Sequence, residues 1–347
     1  MKRAFLAGVG LAALAASPAL GLDCQRASSA SEKAICADPA ALAADSDLGK
    51  AFAALHASLD AKARTQLGAA EVAWLALRDS NCAEEKGPSL GPCLARETRA
   101  RIAFLSGAPD AGPGAPGRLA PVFRMQKGGK GRTDVDVQLL KFVDAATPAE
   151  RAFNAAVDHL TNDLENPGKD DPLADQWSYT WSMRLAYASP KLISAHADGD
   201  SFMGGAHPNS YSVNINIDVA RGREATFADL LDKPAADKIF ALCLKQVRDE
   251  KTSREGSADD DADAAKTLAD SVAAATGDLK AWSFGVDAAT IPTIRTRSAP
   301  MPRARSPAAR PIQRCGRWRA PTSRCRKPRS SGAAQRCDAR GRLEARR

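Results

Sequence analysis

The chain has 347 residues, a hydrophobic fraction of 44%, and 49 Lys/Arg against 41 Asp/Glu. That length fits about two domains, and that hydrophobic fraction excludes global disorder. The formal net charge of +8 is uneven, because residues 291–347 carry 17 Lys/Arg and 2 acids, whereas residues 22–290 carry 30 basic and 39 acidic residues, a balance of −9. A nucleic-acid-binding function would depend on the tail alone, so we expect no nucleic-acid partner.

Residues 1–21 have the pattern of a secretory signal peptide. A basic start, Met1-Lys2-Arg3, precedes an apolar run, and Ala19-Leu20-Gly21 places small residues at the cleavage positions. The run is shorter than the about 20 apolar residues that cross a bilayer, and no later stretch could span one. We therefore expect a periplasmic or secreted protein, in a compartment where disulfides persist.

The segment 22–106 reads as a small helical domain with four cysteines. Four cysteines in an exported chain predict two disulfides, and three pairings are open. Sequence proximity favours Cys24–Cys36 and Cys82–Cys93. A metal site of four thiolates is the alternative, but no C-x-x-C spacing supports it.

Helical periodicity fills the space between these cysteines. Ser29 or Ser31 can cap a helix that runs through Cys36, and Asp45 is expected to open a second helix. The apolar residues of that second helix lie on one face: Leu48, Phe52, Leu55 and Leu59. Further helices are predicted over 67–77 and 93–105, with Gly-Pro pairs between them.

The same segment carries a family resemblance. Its motifs are Glu32-Lys33-Ala34-Ile35-Cys36-Ala37-Asp38-Pro39, Trp74-Leu75 with Arg78-Asp79 and Cys82, and Cys93-Leu94. They resemble the N-terminal domain of the LprI lysozyme-inhibitor family, which implies a secreted helical binder. Trp74 and Arg78 are candidate binding residues, because aromatic and arginine side chains dominate binding hot spots. The alternative is that Trp74, Arg78 and Asp79 serve only the core and an ion pair.

A different domain is expected after a linker. Residues 107–121 are rich in Pro, Gly and Ala, which is typical of a flexible to semi-extended linker. Residues 122–290 then alternate with period two in several short runs, separated by helical stretches at 148–164, 226–231 and 235–247. Strands and helices without regular alternation predict an α+β domain with an antiparallel sheet.

The motif Gly204-Gly205-Ala206-His207-Pro208 precedes a strand that starts near Tyr211. It resembles the C-terminal domain shared by the RsiV anti-sigma factor and the PdaC peptidoglycan deacetylase, in which this turn joins two strands. RsiV senses lysozyme by direct binding, so both halves of the chain resemble lysozyme-linked families. The glycine pair is explained by a need for positive φ, and His207 and Tyr211 become candidate binding residues.

Enzyme chemistry has little support in the sequence. The four histidines have no metal-binding spacing, and no nucleophile elbow is present. His207 is therefore interpreted as a turn or surface residue rather than a base or a ligand. The acidic run at 259–263 lacks the spacing of a calcium loop. We expect no cofactor, no metal and no enzymatic activity, although an enzyme with paired carboxylates acting on cell-wall sugars is an alternative.

The tail, residues 291–347, loses hydrophobic periodicity and is predicted to be disordered. One interpretation is a basic arm for anionic polymers, and the favoured one is a frameshift. Permitted codons for residues 291–311, read in another frame, encode PYDPYSVGAYAEGEVTCRAP, a string suited to terminal strands. On that hypothesis the domain lacks its last strands, the segment 282–286 becomes an unpaired edge, and Cys243 stays single.

These features favour an exported two-domain protein that binds lysozyme-type muramidases, with inhibition as a further expectation. An envelope-stress or peptidoglycan-sensing module without lysozyme inhibition is the alternative. The acidic balance of residues 22–290 would steer association with a basic lysozyme.

Overall fold

The computed structural model describes residues 21–129, 131–162, 174–255, 261–285, 288–291 and 315–318. Internal contacts divide the chain into two compact units, Met1–Asp60 with Val72–Ile102, and Ala61–Glu71 with Ala103–Arg347. The predicted fold class is confirmed: a helical N-terminal region with two disulfides is followed by a domain with mostly antiparallel strands. Most of the predicted signal peptide and most of the basic tail lie outside the described residues.

Four helices form the N-terminal region. They are α1 (Ala30–Ala37), α2 (Pro39–Ser58), α3 (Ala61–Asn81) and α4 (Leu90–Leu105). Helix α1 begins with a capping box, in which Ser29 Oγ accepts from the Glu32 amide at 3.1 Å and Glu32 Oε2 accepts from the Ser29 amide at 2.8 Å. Backbone hydrogen bonds from Ser29 and Ser28 lower the pKa of Glu32 to about 2.

The expectation that Asp45 opens a helix is wrong. Helix α2 begins at Pro39, because Asp38 Oδ1 accepts from the amides of Ala40 and Ala41 at 2.8 and 3.0 Å and proline suits the first helical position. Asp45 lies inside the helix and instead accepts a hydrogen bond from the Leu22 amide at 2.8 Å.

Two disulfides connect neighbouring elements of the first unit. Cys24–Cys36 ties the 3₁₀ turn Cys24–Arg26 to α1, and Cys82–Cys93 ties the residue after α3 to α4. The second bridge is buried in a small apolar cluster with Ile35, Ala41, Leu94 and Ala95. The bridges therefore reinforce a core too small to be strongly stable alone.

The second unit is built on a six-stranded sheet in the order β1 to β6. Its strands are β1 (Leu119–Gln126), β2 (Asp134–Phe142), β3 (Ser178–Ala188), β4 (Leu192–Phe202), β5 (Asn209–Asp218) and β6 (Arg223–Glu224). All neighbours pair antiparallel except β2 and β3, which are parallel. Helix α5 (Pro148–His159) follows β2 and packs on the sheet, where the buried Phe153 ring meets Phe142 edge-on at 5.3 Å.

The segment predicted to be a flexible linker is held to the sheet by backbone hydrogen bonds. The Asp110 amide donates to Leu185 O at 2.8 Å, and the Gly114 amide donates to Ala188 O at 3.1 Å. Gly112, with φ of 96°, lies so close to Ala188 O that a side chain there would collide. The small residues of this segment thus allow its backbone to lie close to the backbone of β3. Strand β1 begins inside the predicted linker, at Leu119.

The described chain continues with three helices and a second sheet. Their bounds are α6 (Phe227–Leu230), α7 (Lys233–Glu255), α8 (Ala262–Gly277), β7 (Ser283–Phe284), β8 (Ala289–Ile291) and β9 (Cys315–Trp318), and these three strands pair in that order. The expectation of an unpaired edge at 282–286 is corrected for Ser283–Phe284, which pair with β8. The expectation that Cys243 stays single is wrong as well, because Cys243 is disulfide-bonded.

Candidate functional site

Trp74 and Arg78, the candidates in the first unit, are in contact. The Arg78 guanidinium lies 5.4 Å from the centre of the Trp74 ring, and Arg101 of α4 lies 5.5 Å from it. Arg78 also donates from Nε and Nη2 to Asp79 Oδ1, at 3.0 and 2.9 Å. Arg78 and Arg101 are each only 5% exposed. These contacts therefore fix α3 against α4 through cation–π interactions, and of Trp74, Arg78 and Arg101 only Trp74, which is half-buried, retains a surface.

The Gly204-Gly205-Ala206-His207-Pro208 motif forms the turn between β4 and β5. Gly204 and Gly205 have φ values of 89° and 110°, a region that side chains disfavour. The exposed His207 ring has Nδ1 3.1 Å from Pro208 O, so this contact is local to the turn. The motif thus shapes the hairpin and presents His207 to solvent.

Tyr211, the fourth candidate, belongs to an aromatic row across β3, β4 and β5. Trp181 and Tyr211 stack with centroids 6.1 Å apart and planes at 23°, and Gly199 lies between them in the register. The buried Trp181 donates from Nε1 to Tyr179 Oη at 2.7 Å. Tyr211 itself is 44% exposed. The row therefore supports a tyrosine that is available to a partner at the end of the hairpin.

The opposite face of the same strands is polar. Two registered rows each place an aspartate of β4 between hydroxyl residues of β3 and β5: Thr180, Asp200 and Ser210, then Ser182, Asp198 and Ser212. Burial would raise the pKa of Asp198, but the hydrogen bond and charge of His196, aided by Ser212 and Arg184, lower it overall. A carboxyl held ionised in this way is unsuited to donate a proton as a general acid near neutral pH.

His196 lies in the next row and is buried. Its Nε2 is 2.9 Å from Asp198 Oδ2 and its Nδ1 is 2.8 Å from Asn214 Oδ1. The Asn214 orientation is fixed, because its Nδ2 donates to Lys280 O at 3.0 Å. Both ring nitrogens of His196 therefore face acceptors, and the ring donates to both only in its protonated form.

At the end of the polar face that lies away from the β4–β5 turn, the 3₁₀ turn Leu279–Ala281 packs against β5. Asn216 Nδ2 donates to Leu279 O at 2.7 Å and to Trp282 O at 2.9 Å. A cleft beside this turn is lined by both asparagines together with Glu224, Thr226, Phe227 and Lys280. Asn216 is 4% exposed and holds the turn against β5. We therefore assign it a structural role.

Sequence reasoning missed Arg101, Gly199 and the pair His196 and Asp198. Polar residues recur at every second position from Ser194 to Asp200, and this pattern could have predicted the polar face of β4. Which residues of β3 and β5 lie beside them depends on the strand register, which the sequence does not show. Within the described ranges, no group of three or more His, Cys, Asp or Glu could hold a metal ion. In that part of the chain, no helix is both long and apolar enough to cross a membrane.

By its architecture, the chain combines a disulfide-bonded helical domain with a sheet domain. Residues 24–105 match the sequence profile of the family described as Lysozyme inhibitor LprI. This match agrees with the resemblance carried by the Trp74 and Arg78 motif and covers the helical part alone. No curated protein matches the chain.

Two solved structures are similar to part of the chain. A DUF3298 family protein from Pseudomonas aeruginosa PAO1 shares 17% identity at a TM-score of 0.29, and a DUF3298 member from Bacteroides fragilis NCTC 9343 shares 9% identity at 0.35. In each case the match covers 51% of this chain and 83% of the other.

Proposed function

We propose that this chain is an exported envelope protein whose helical N-terminal unit binds lysozyme-type muramidases and inhibits them. The observation that carries the proposal is the match of residues 24–105 to the lysozyme-inhibitor family. The match points to a binding role rather than to catalysis. The two disulfides of this region fit a chain exported to an oxidising compartment.

The acidic net charge of residues 22–290 supports a basic partner. The distribution of that charge indicates which domain would attract the partner electrostatically. Residues 22–106 are nearly balanced, with 10 basic and 11 acidic side chains, whereas residues 107–290 carry 20 basic and 28 acidic ones. The acidic excess therefore lies in the sheet domain. That domain would accelerate association with a cationic muramidase through its long-range field, while contacts made by the helical unit would set the lifetime of the complex.

Titration calorimetry of the mature chain with a basic animal-type lysozyme tests the proposal. We expect binding that weakens as salt rises, together with inhibition of cell-wall lysis in a turbidity assay. Absence of binding at low salt would contradict the proposal.

The alternative is an envelope-stress or peptidoglycan-sensing module, which the resemblance of the Gly204–Pro208 turn to the RsiV and PdaC domain favours. Co-sedimentation with purified peptidoglycan distinguishes the two functions. Retention on peptidoglycan without any lysozyme binding would favour the sensing module.

A further inference from the structure

Exposed apolar side chains are concentrated on one short stretch of α3. In the described part of the chain, eight large hydrophobic side chains are exposed, and three of them lie within six consecutive residues. Val72 is 71% exposed, Leu75 38% and Leu77 52%. Scattered exposed apolar residues need no explanation, but a group of them on neighbouring turns is a candidate interaction surface.

The helical geometry places these residues on one broad solvent-facing arc. At about 100° per residue, Leu75 lies about 60° from Val72 on one side, and Leu77 lies about 140° from Val72 on the other side, beyond Ala76 and Ala73. The three side chains therefore span about 200° of the helix surface. Within residues 72–79, Asp79 is the only charged residue on this arc, because the Arg78 side chain is buried against Trp74. A helix that only shields a core normally presents a charged or polar outer face. We call the surface formed by Val72, Leu75 and Leu77 the α3 apolar face.

The α3 apolar face stands on a rigid support. Beside it, the Trp74 ring contacts the guanidinium groups of Arg78 and Arg101, at 5.4 and 5.5 Å. The helix ends beside the Cys82–Cys93 bridge, which fixes its position relative to α4. A surface already held in its bound conformation loses little conformational entropy on association, and this favours affinity.

The charges around the α3 apolar face select the kind of partner. Asp79 lies on the face, where its Oδ1 accepts from Arg78 while its side chain stays 44% exposed. Glu84 and Glu85 follow the helix as exposed residues, with Lys86 next to them in sequence. A second copy of the chain would place like charges opposite one another, which is unfavourable. A cationic protein with an apolar contact patch fits both features.

We propose that the α3 apolar face is the surface on which the helical unit docks a cationic muramidase. This inference rests on the function proposed above and specifies the site. The apolar side chains supply the desolvated centre of the interface, and Asp79, Glu84 and Glu85 form an acidic rim against Lys and Arg of the partner. The buried Arg78 then supports the surface from behind and makes no contact with the partner.

A triple variant tests the proposal against a matched control. V72Q/L75Q/L77Q removes the α3 apolar face and keeps good helix formers in α3. The control L230Q/L242Q removes two apolar side chains of similar exposure, 38% and 41%, from the second unit. Circular dichroism melting establishes that both variants keep the fold, as expected for exposed positions.

Lysozyme affinity is then measured by calorimetry for the wild type and both variants. We expect the triple variant to bind at least tenfold more weakly, with the control unchanged. The variant E84K/E85K is expected to weaken binding mainly at low salt, because rim charges act through the screened field.

The outcomes separate this inference from the proposed function. If the wild type binds lysozyme and the triple variant binds equally well, the α3 apolar face is not the docking site. If the wild type does not bind at all, the proposed function itself fails. A concentration-dependent dimer of the wild type that the triple variant abolishes, seen by sedimentation, would assign the face to a second copy and overturn the proposal.

Discussion

Replacing Gly199 by alanine tests how the aromatic row is built. A Cβ atom at this position would lie 2.5 Å from Trp181 Cδ2 and 2.8 Å from Thr180 O. Carbon atoms pack best at about 3.5–4.0 Å, so the indole must move by about 1 Å. Overpacking of this kind costs about 1–3 kcal/mol. Loss of the Trp181 hydrogen bond to Tyr179 adds about 1 kcal/mol.

We therefore expect Gly199→Ala to lower the free energy of unfolding by about 2–4 kcal/mol. Gly68→Ala is the matched control, because it lies in the same unit, within helix α3, and has nothing within 4 Å of the added Cβ atom. That change is expected to stabilise by about 0.5–1 kcal/mol through helix propensity. Urea unfolding followed by circular dichroism measures both. A loss below about 0.5 kcal/mol for Gly199→Ala would refute the steric reasoning.

Three further outcomes are expected. Replacing both Cys24 and Cys36 by serine should lower the free energy of unfolding by about 3 kcal/mol, because the bridge closes a short loop in the unfolded chain. Thermal melting with and without reductant measures this loss, and an unchanged melting temperature would contradict the reasoning. Because the fold lowers the pKa of Asp198, the ionised carboxylate stabilises the protein at neutral pH, and this contribution is lost as the pH falls through the ordinary aspartate pKa and below. Asp198→Asn should therefore flatten the acid dependence of the urea unfolding midpoint. A variant with the same pH profile as the wild type would refute this reasoning. Sequencing the gene across the codons for Asp287–Pro292 should reveal a shifted frame, and an intact long frame with no closely related in-frame alternative would remove the frameshift hypothesis.

Local signals predicted the elements of this fold better than they predicted its surfaces. Ser29 and Glu32 specify a capping box within four residues, and the alternation through Tyr211 and Ile217 specifies a strand, so both elements were predictable. Asp38 was the stronger cap for α2, and it was overlooked because Asp45 stands before a clearer apolar pattern. Asp38 and Asp45 are seven residues apart in sequence, about two helical turns, so a choice between them moves the predicted start of α2 by that much.

The candidate site depends on information that sequence spacing does not contain. Trp74 and Arg78 were selected by residue type, yet the structure buries Arg78 and exposes Leu75 and Leu77. An apolar residue on a helix looks the same in sequence whether it faces a core or solvent. His196 and Asn214 are 18 residues apart in sequence, and they meet only because the register of β4 and β5 places them opposite each other. That register is not visible in the sequence spacing.

The order of the disulfides along the chain bears on how the protein is made. Each of the two bridges in the first unit joins a cysteine to the next one in sequence, with separations of 12 and 11 residues. On the export proposed above, a chain that emerges from its N-terminus presents the correct partner first, and sequential oxidation gives these two pairs without later reshuffling. The bridges of the helical unit can close once Cys93 has emerged, before any strand of the sheet exists, so this unit is covalently linked early and independently of the fate of the tail.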